Sequence, residues 1–323
     1  MRNRFSRWAR ENWIENLLFV GLIGIVAWFG YIAAPFVRER LPESLSRSFD
    51  GRAAYRHVVA QVDMGPRITG SVGSEVVTQY IMGRLAKHGW RIEIQNFRYR
   101  GTDARNIIAK AGEGAGPLII VGAHYDTRRR ADNDPSVDER HLPVPGANDG
   151  ASGVAVLLEL ARALDKARLE NEVWLVFFDA EDNGQLDGWE YIAGSTYFAD
   201  SLPVDPAAVI IVDMIGDADQ QIYKERNSTP WLVEAVWETA AELGFGDAFL
   251  PTAKYSMLDD HTPFLRRGIP AIDIIDFDYP YWHTTEDTAD KVSAAALGRV
   301  GRVVETVLEE ARLNNILRSQ ETQ

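Results

Sequence analysis

The segment Phe177–Gly184 reads FFDAEDNG, which sets three acids, Asp179, Glu181 and Asp182, within four positions behind an apolar run. Carboxylates so close repel one another, and at the end of a strand they are ordinarily solvated. The chemical alternative is a cation that offsets them. Three further apolar runs end in the same kind of side chain: PLIIVGAHYDT in His124 and Asp126, AAVIIVDMIGD in Asp213 and Asp217, and PAIDIIDFDYPYWH in Asp276, Asp278 and His283. A single histidine in such a place is more often a hydrogen-bonded core residue than a ligand. Repeated pairing of His with carboxylate is not what solvation selects, and both are zinc ligands. Asp149, within GANDGASG (146–153), stands between small residues just ahead of an amphipathic stretch. It reads equally as an acid at a helix start, worth about 1 kcal/mol to that helix, or as a carboxylate bridging two metals. The chain has no cysteine, so any metal must be held by His and carboxylate.

To act together these residues must be brought to one place, and the pattern of elements supplies a way. β-rich runs (RIEIQNFRY, RNIIAKAG, PLIIVGAHYDT, EVWLVFFDA, AAVIIVDMIGDAD, PAIDIIDFD) are interspersed with helical patterns such as ASGVAVLLELARALDKA, PWLVEAVWETAAELG and a closing helix from about Ser293 to Leu317. Several of the strands are apolar throughout, which predicts an α/β fold with a largely parallel sheet covered on both faces. In such sheets the site lies beyond the carboxyl ends of the strands, where the four acid-bearing runs end.

A net charge of −13 argues against a nucleic-acid partner, which needs a basic face. The hydrophobic content of 46% over 323 residues is enough for a sizeable core. Leu17–Val37 is uncharged and long enough to cross a hydrocarbon core as a helix. It reads as a transmembrane anchor rather than a cleaved signal, whose apolar region is normally ~7–15 residues. The expected organisation is a basic segment over 1–16, the anchor at 17–37, a polar linker at 38–51, a catalytic domain over 52–318 and a tail at 319–323. The weak charge bias across the apolar run favours a cytoplasmic N-terminus and an extracytoplasmic domain.

The segments GAHYDT, GANDGASG, FFDAED, VDMIG and YWHTTEDT, in this order and spacing over roughly residues 50–312, resemble the zinc-dependent M28 aminopeptidases and the glutaminyl cyclases that share their fold. The resemblance implies a three-layer αβα domain with a mixed, mostly parallel central sheet. Carried over residue by residue, it implies that Asp149, Asp182 and His283 hold one zinc and that Glu181 is the neighbouring general base. In two-metal members, His124 and Asp213 hold a second zinc that shares Asp149. One zinc is implied for a cyclase and two for an aminopeptidase, and both act on peptide or protein N-termini. Asp179 is left for a supporting hydrogen bond.

The stretch LDDHTPFLRRGIPAIDIIDFDYPYWHT (258–284) resembles the cyclases in particular, with Asp259 ahead of Asp260-His261. There the resemblance implies a hydrogen-bonded acid pair, Asp213 with Asp259, near the leaving group. This favours a glutaminyl-peptide cyclotransferase. Retention of His124 and Asp213, and Asp182 where animal cyclases have Glu, keeps the aminopeptidase open. An inactive, peptide-binding homologue is the third reading. Trp282 and Tyr281 are the candidate substrate-pocket residues, and Tyr279 and Trp189 share that reading, with core packing the ordinary alternative. His261 reads as a hydrogen-bonding residue at a helix start. The charged loop between His124 and Asp149 reads as a site rim, and Arg128–Arg130 upon it as a solvated run.

Overall fold

In the computed structural model, which describes residues 48–309 and 313, the chain runs α1 (Gly51–Asp63), α2 (Val72–Lys87), β1 (Arg91–Tyr99), β2 (Thr102–Ala111), β3 (Leu118–His124), α3 (Ala151–Ala163), β4 (Glu172–Phe178), α4 (Ala193–Asp200), β5 (Ala208–Asp213), β6 (Ile222–Lys224), α5 (Pro230–Glu242), β7 (Phe249–Ala253), α6 (Thr262–Arg266), β8 (Ala271–Ile275) and α7 (Ala294–Glu309). A six-stranded sheet has the order β1-β2-β4-β3-β5-β8, and β6 pairs with β7 in a separate ribbon. β1, β2 and β4 are joined antiparallel. β4, β3, β5 and β8 are parallel. The sheet is therefore mixed and mostly parallel, as the continuous apolar runs predict.

Alternation along each strand divides the core between the two faces of the sheet. Ile119, Val121, Val173, Leu175, Ile210 and Val212 point to one side, where they pack with residues of α1, α2, α3, α5 and α7. Ile120, Trp174, Val176, Val209 and Ile211 point to the other, under Phe198 of α4 and Phe264 of α6. The β1–β2 connection is the two-residue turn Arg100-Gly101, with φ of 50° and 84°. Positive φ at both positions suits the twist of a tight hairpin.

The folded unit begins at Ser48, four residues ahead of the boundary drawn from sequence. Phe49 is buried, and its N–H donates to Glu305 Oε1 of α7 at 2.8 Å. Asp50 caps α1 by accepting from Arg52 N at 2.9 Å. Residues 48–51 thus belong to the domain rather than to a linker, because an apolar anchor and an N-cap tie them down. The apolar run at 17–37, residues 310–312 and 314–317 of the expected closing helix and the tail at 319–323 lie outside the described residues. Among the described residues no helix is long and apolar enough to cross a membrane.

Candidate metal centre and active site

β3 lies between β4 and β5, so chain segments leave the sheet in opposite directions from this point, which opens a crevice at the strand ends. Four parallel strands deliver His124, the 179–182 turn, Asp213 and the 276–283 loop to that one edge. Left-handed residues make the turns: Ala180 has φ 59°, Met214 φ 46° and His283 itself φ 58°. Such conformations cost a non-glycine residue on the order of 1–3 kcal/mol and persist where surrounding contacts over-determine them.

Asp126 Oδ1 and Oδ2 accept the backbone N–H groups of Glu181 and Asp182 at 3.0 and 3.2 Å. Asp179 accepts from Thr69 Oγ1, Tyr125 Oη, Arg105 N and Ala180 N, so it is a structural anchor of the turn. Asp287 accepts Asn148 N at 2.8 Å and Asp149 N at 3.2 Å, and takes a hydrogen bond from Tyr279 Oη at 2.7 Å. Arg67, fully buried, donates to the carbonyls of Tyr125, Pro145 and Gly146 and pins the loop that carries Asp149.

The ligand-type side chains meet in two overlapping groups, His124 with Asp149 and Asp213, and Asp149 with Asp182 and His283. His124 Nε2 lies 3.1 Å from Oδ1 of Asp149 and of Asp213. His283 Nε2 lies 2.9 Å from Asp182 Oδ1 and 3.7 Å from Asp149 Oδ2. The two oxygens of Asp149 thus face different groups, the geometry of a bridging carboxylate. Asp149 Oδ2 and Asp182 Oδ2 are buried without a hydrogen-bond donor. Acceptor-only oxygens held out of water in this way, beside imidazole nitrogens, fit a divalent zinc ion.

Electrostatics within the cluster are those of crowded acids in a dry place. Burial pushes the Asp182 carboxyl up to about 6, and the neighbouring Asp149 adds to the rise. Burial also lifts Asp213 to about 7, with Asp259 nearby adding and His124 opposing. Glu181 is raised well above its ordinary range, first by burial and then by Asp182, Asp260 and Asp259, with His124 opposing. For Asp149 burial works upward, but the bond to His124 and the charges of both histidines leave it lowered.

A cavity of about 320 Å³ opens on this cluster, and its wall includes Asp149, Glu181, Asp182, Asp213, Asp259, Trp282 and His283. Met214, Met257, Leu258, Ile275 and Phe277 give it an apolar side. Trp282 stacks on the His283 ring, with centroids 3.8 Å apart. Tyr281 is not part of that wall: it packs on Tyr279 with Lys291 over its ring. Tyr279 serves Asp287, and Trp189 packs against Tyr99 under Arg129. These three aromatics stand outside the cavity wall and pack on neighbouring side chains.

Other strand-end residues go elsewhere. Asp217 accepts from Asp219 N, Asp276 from Gln221 N, and Asp278 pairs with Lys254. Asp213 and Asp259 share the cavity, yet among the described residues no hydrogen bond joins them, because Asp213 Oδ1 turns to His124. His261 stands at the start of α6 without capping it, and its ring lies buried between Glu225 and Asp273, at 3.4 and 3.8 Å. Sequence reasoning missed the anchoring parts of Asp126, Asp287 and Arg67. The first two stand two and four residues beyond His124 and His283, within GAHYDT and YWHTTEDT, and that placement was the signal that could have found them.

The chain matches the sequence profile described as peptidase family M28 over residues 106–308. It is 28% identical to the glutaminyl-peptide cyclotransferase of Bos taurus over 290 residues, covering 76% of this chain and 78% of that protein. The crystal structure of Bacteroides thetaiotaomicron glutaminyl cyclase bound to N-acetylhistamine superimposes with a TM-score of 0.77 at 33% identity, covering 81% of this chain and 98% of the other. A Zn-dependent exopeptidase from Parabacteroides distasonis gives 0.76 at 30% identity, over 81% and 99%.

Proposed function

Because this chain belongs to peptidase family M28, with glutaminyl cyclases and zinc-dependent exopeptidases among its relatives, we propose that it is a zinc enzyme acting on peptide N-termini as a glutaminyl-peptide cyclotransferase. The observation that carries the cyclase reading is the acidic end of the cavity. Glu181, Asp213 and Asp259 line it together, against an apolar wall that ends in Trp282. Such a pocket suits the side chain of an N-terminal Gln, with its carboxamide directed at the acids.

Asp149, Asp182 and His283 would hold one zinc, which supplies Lewis acidity to the γ-carboxamide carbonyl. Glu181 adjoins a ligand without belonging to either ligand group, so its carboxylate stays available for proton transfer. The α-amino nitrogen of the substrate bonds to the side-chain carboxamide carbonyl carbon (Cδ), and the bond from that carbon to the carboxamide nitrogen breaks. Glu181 accepts the proton that the amine loses and returns it to the departing nitrogen, which leaves as ammonia. Asp213 and Asp259 hold the leaving nitrogen by accepting its N–H groups. Confinement of amine and carboxamide in one pocket supplies the orientation that a ring closure needs.

A second reading has a specific observation in its favour. His124, Asp149 and Asp213 converge as a second ligand group, which supports a two-zinc aminopeptidase in which Glu181 deprotonates water to attack the first peptide bond. The mass of a peptide beginning Gln-Phe, incubated with the full-length protein and zinc, separates the two. Loss of one ammonia above the spontaneous rate, abolished by Glu181→Gln, establishes the cyclase; loss of the whole first residue overturns it in favour of the peptidase. We place the domain outside a membrane, held by the apolar run at 17–37; the support for this is the sequence alone.

A further inference from the structure

Arg128 is 1% exposed, although the run Arg128–Arg130 reads in sequence as a solvated face. Its guanidinium donates through Nε and Nη2 to both oxygens of Asp132, at 2.5 and 2.8 Å. Nη1 donates to the Asp182 carbonyl at 2.6 Å and lies 3.9 Å from Asp182 Oδ1. Asp132, held in this fork, has Oδ1 3.8 Å from His283 Nδ1. The next backbone N–H, of Asn133, donates to the His283 carbonyl at 3.2 Å. One buried cation therefore reaches Asp182 directly and His283 through a carboxylate.

The consequence follows from imidazole chemistry. His283 presents Nε2 to Asp182 and Asp149, which leaves Nδ1 to carry the proton. A carboxylate that accepts the Nδ1–H fixes the tautomer and the ring angle and raises the basicity of the other nitrogen. The 3.8 Å separation is within ion-pair reach but longer than a hydrogen bond, so the proposed contact is one that shortens in the zinc-loaded site. Arg128 suits the task because its planar fork binds a carboxylate in two places at once, which a lysine does not reproduce.

We propose that Arg128 and Asp132 are positioning residues for zinc held by Asp149, Asp182 and His283: Asp132 accepts the Nδ1–H of His283, and Arg128 fixes Asp132 and the Asp182 backbone together. The inference rests on the zinc reading of the site and is independent of which reaction the site performs.

The test is zinc affinity, measured on the purified full-length protein by competition with a chelating indicator, together with the melting temperature of the zinc-free protein. Asp132→Asn is expected to weaken zinc about 10–100-fold, read well below the melting temperature of the variant because loss of the charge facing buried Arg128 lowers that temperature as well. Arg128→Lys is expected to weaken zinc in the same direction, because an ammonium lacks the planar fork that grips both oxygens of Asp132 while reaching the Asp182 carbonyl. Wild-type zinc affinity in Asp132→Asn overturns the proposal, and so does a lowered zinc-free melting temperature with unchanged affinity, which marks a structural prop. His283→Ala serves as the reference for the site itself. Unchanged zinc binding in that variant refutes the site, whereas its loss there with none in Asp132→Asn refutes only the positioning role.

Discussion

Gly153 sits in the first turn of α3, the helix that follows Asp149, and packs against the ends of β3 and β5. A Cβ built there would lie 2.3 Å from the Val212 carbonyl oxygen and 2.9 Å from Ala123 Cβ. Comfortable contact is about 3.5 Å, so Gly153→Ala demands a displacement of roughly 1 Å. β5 is held in register with β8, Val212 opposite Ile274, so the helix is the part that yields. Overpacking of this size costs about 1–3 kcal/mol of stability. The larger effect falls on Asp149, whose distances of 3.1 Å to His124 and 3.7 Å to His283 are set by where α3 begins. A 1 Å misplacement of a positioning group can lower turnover about 100-fold. Denaturant unfolding would give the stability change, and the release of ammonia from the Gln-Phe peptide would give the rate. A folded Ala variant with wild-type turnover and zinc affinity would refute the claim that helix packing places the bridging carboxylate.

Glu181→Gln is expected to lower turnover by about 10²–10⁴-fold while zinc content, read by metal analysis, stays at the wild-type level. Arg67→Met strands the carbonyls of Tyr125, Pro145 and Gly146 and is expected to destabilise the domain by about 3 kcal/mol or more, measured by urea unfolding with zinc chelated. Glu305, buried beside Arg302 where it accepts Phe49 N, is pushed up to about 7 chiefly by burial. Its folded value lies above its unfolded one, so the stability it contributes is full in acid and declines as pH rises from about 4 through 7. Glu305→Gln, which keeps an acceptor for Phe49, should flatten that part of the stability–pH curve; an unchanged slope would sink this account. For the apolar run at 17–37, the expected outcome is sedimentation of the full-length protein with membranes, lost on deletion of residues 1–47.

Much of this architecture is legible without coordinates, for a local reason. A strand buried on both faces must be apolar at successive positions, and LIIVGAH and AVIIVD declare themselves by hydropathy alone. Polar side chains at the ends of such runs must leave the sheet, so His124, Asp182, Asp213 and His283 are placed at one edge once the strands are parallel. Asp149 is placed by its position just ahead of a helix, which reads as amphipathic in sequence and is buried at every position but Arg162 in the structure. What hydropathy does not encode is which strand-end acid meets which partner. Asp126 and Asp182 look alike in sequence, as do Asp278 and Asp213. Strand order, with β3 between β4 and β5, is what sets Asp126 against a backbone N–H 55 residues away, while Asp278 faces Lys254 outside the cluster. The same holds for Arg128, which has the sequence neighbours of a solvated residue and is buried only because the Asp182 carbonyl, 54 residues on, stands within its reach. Composition and periodicity report the energy of moving a side chain out of water, which is a property of each residue and its local run. The hydrogen-bond partner that makes burial of a charge tolerable comes from distant chain, and only the folded topology supplies it.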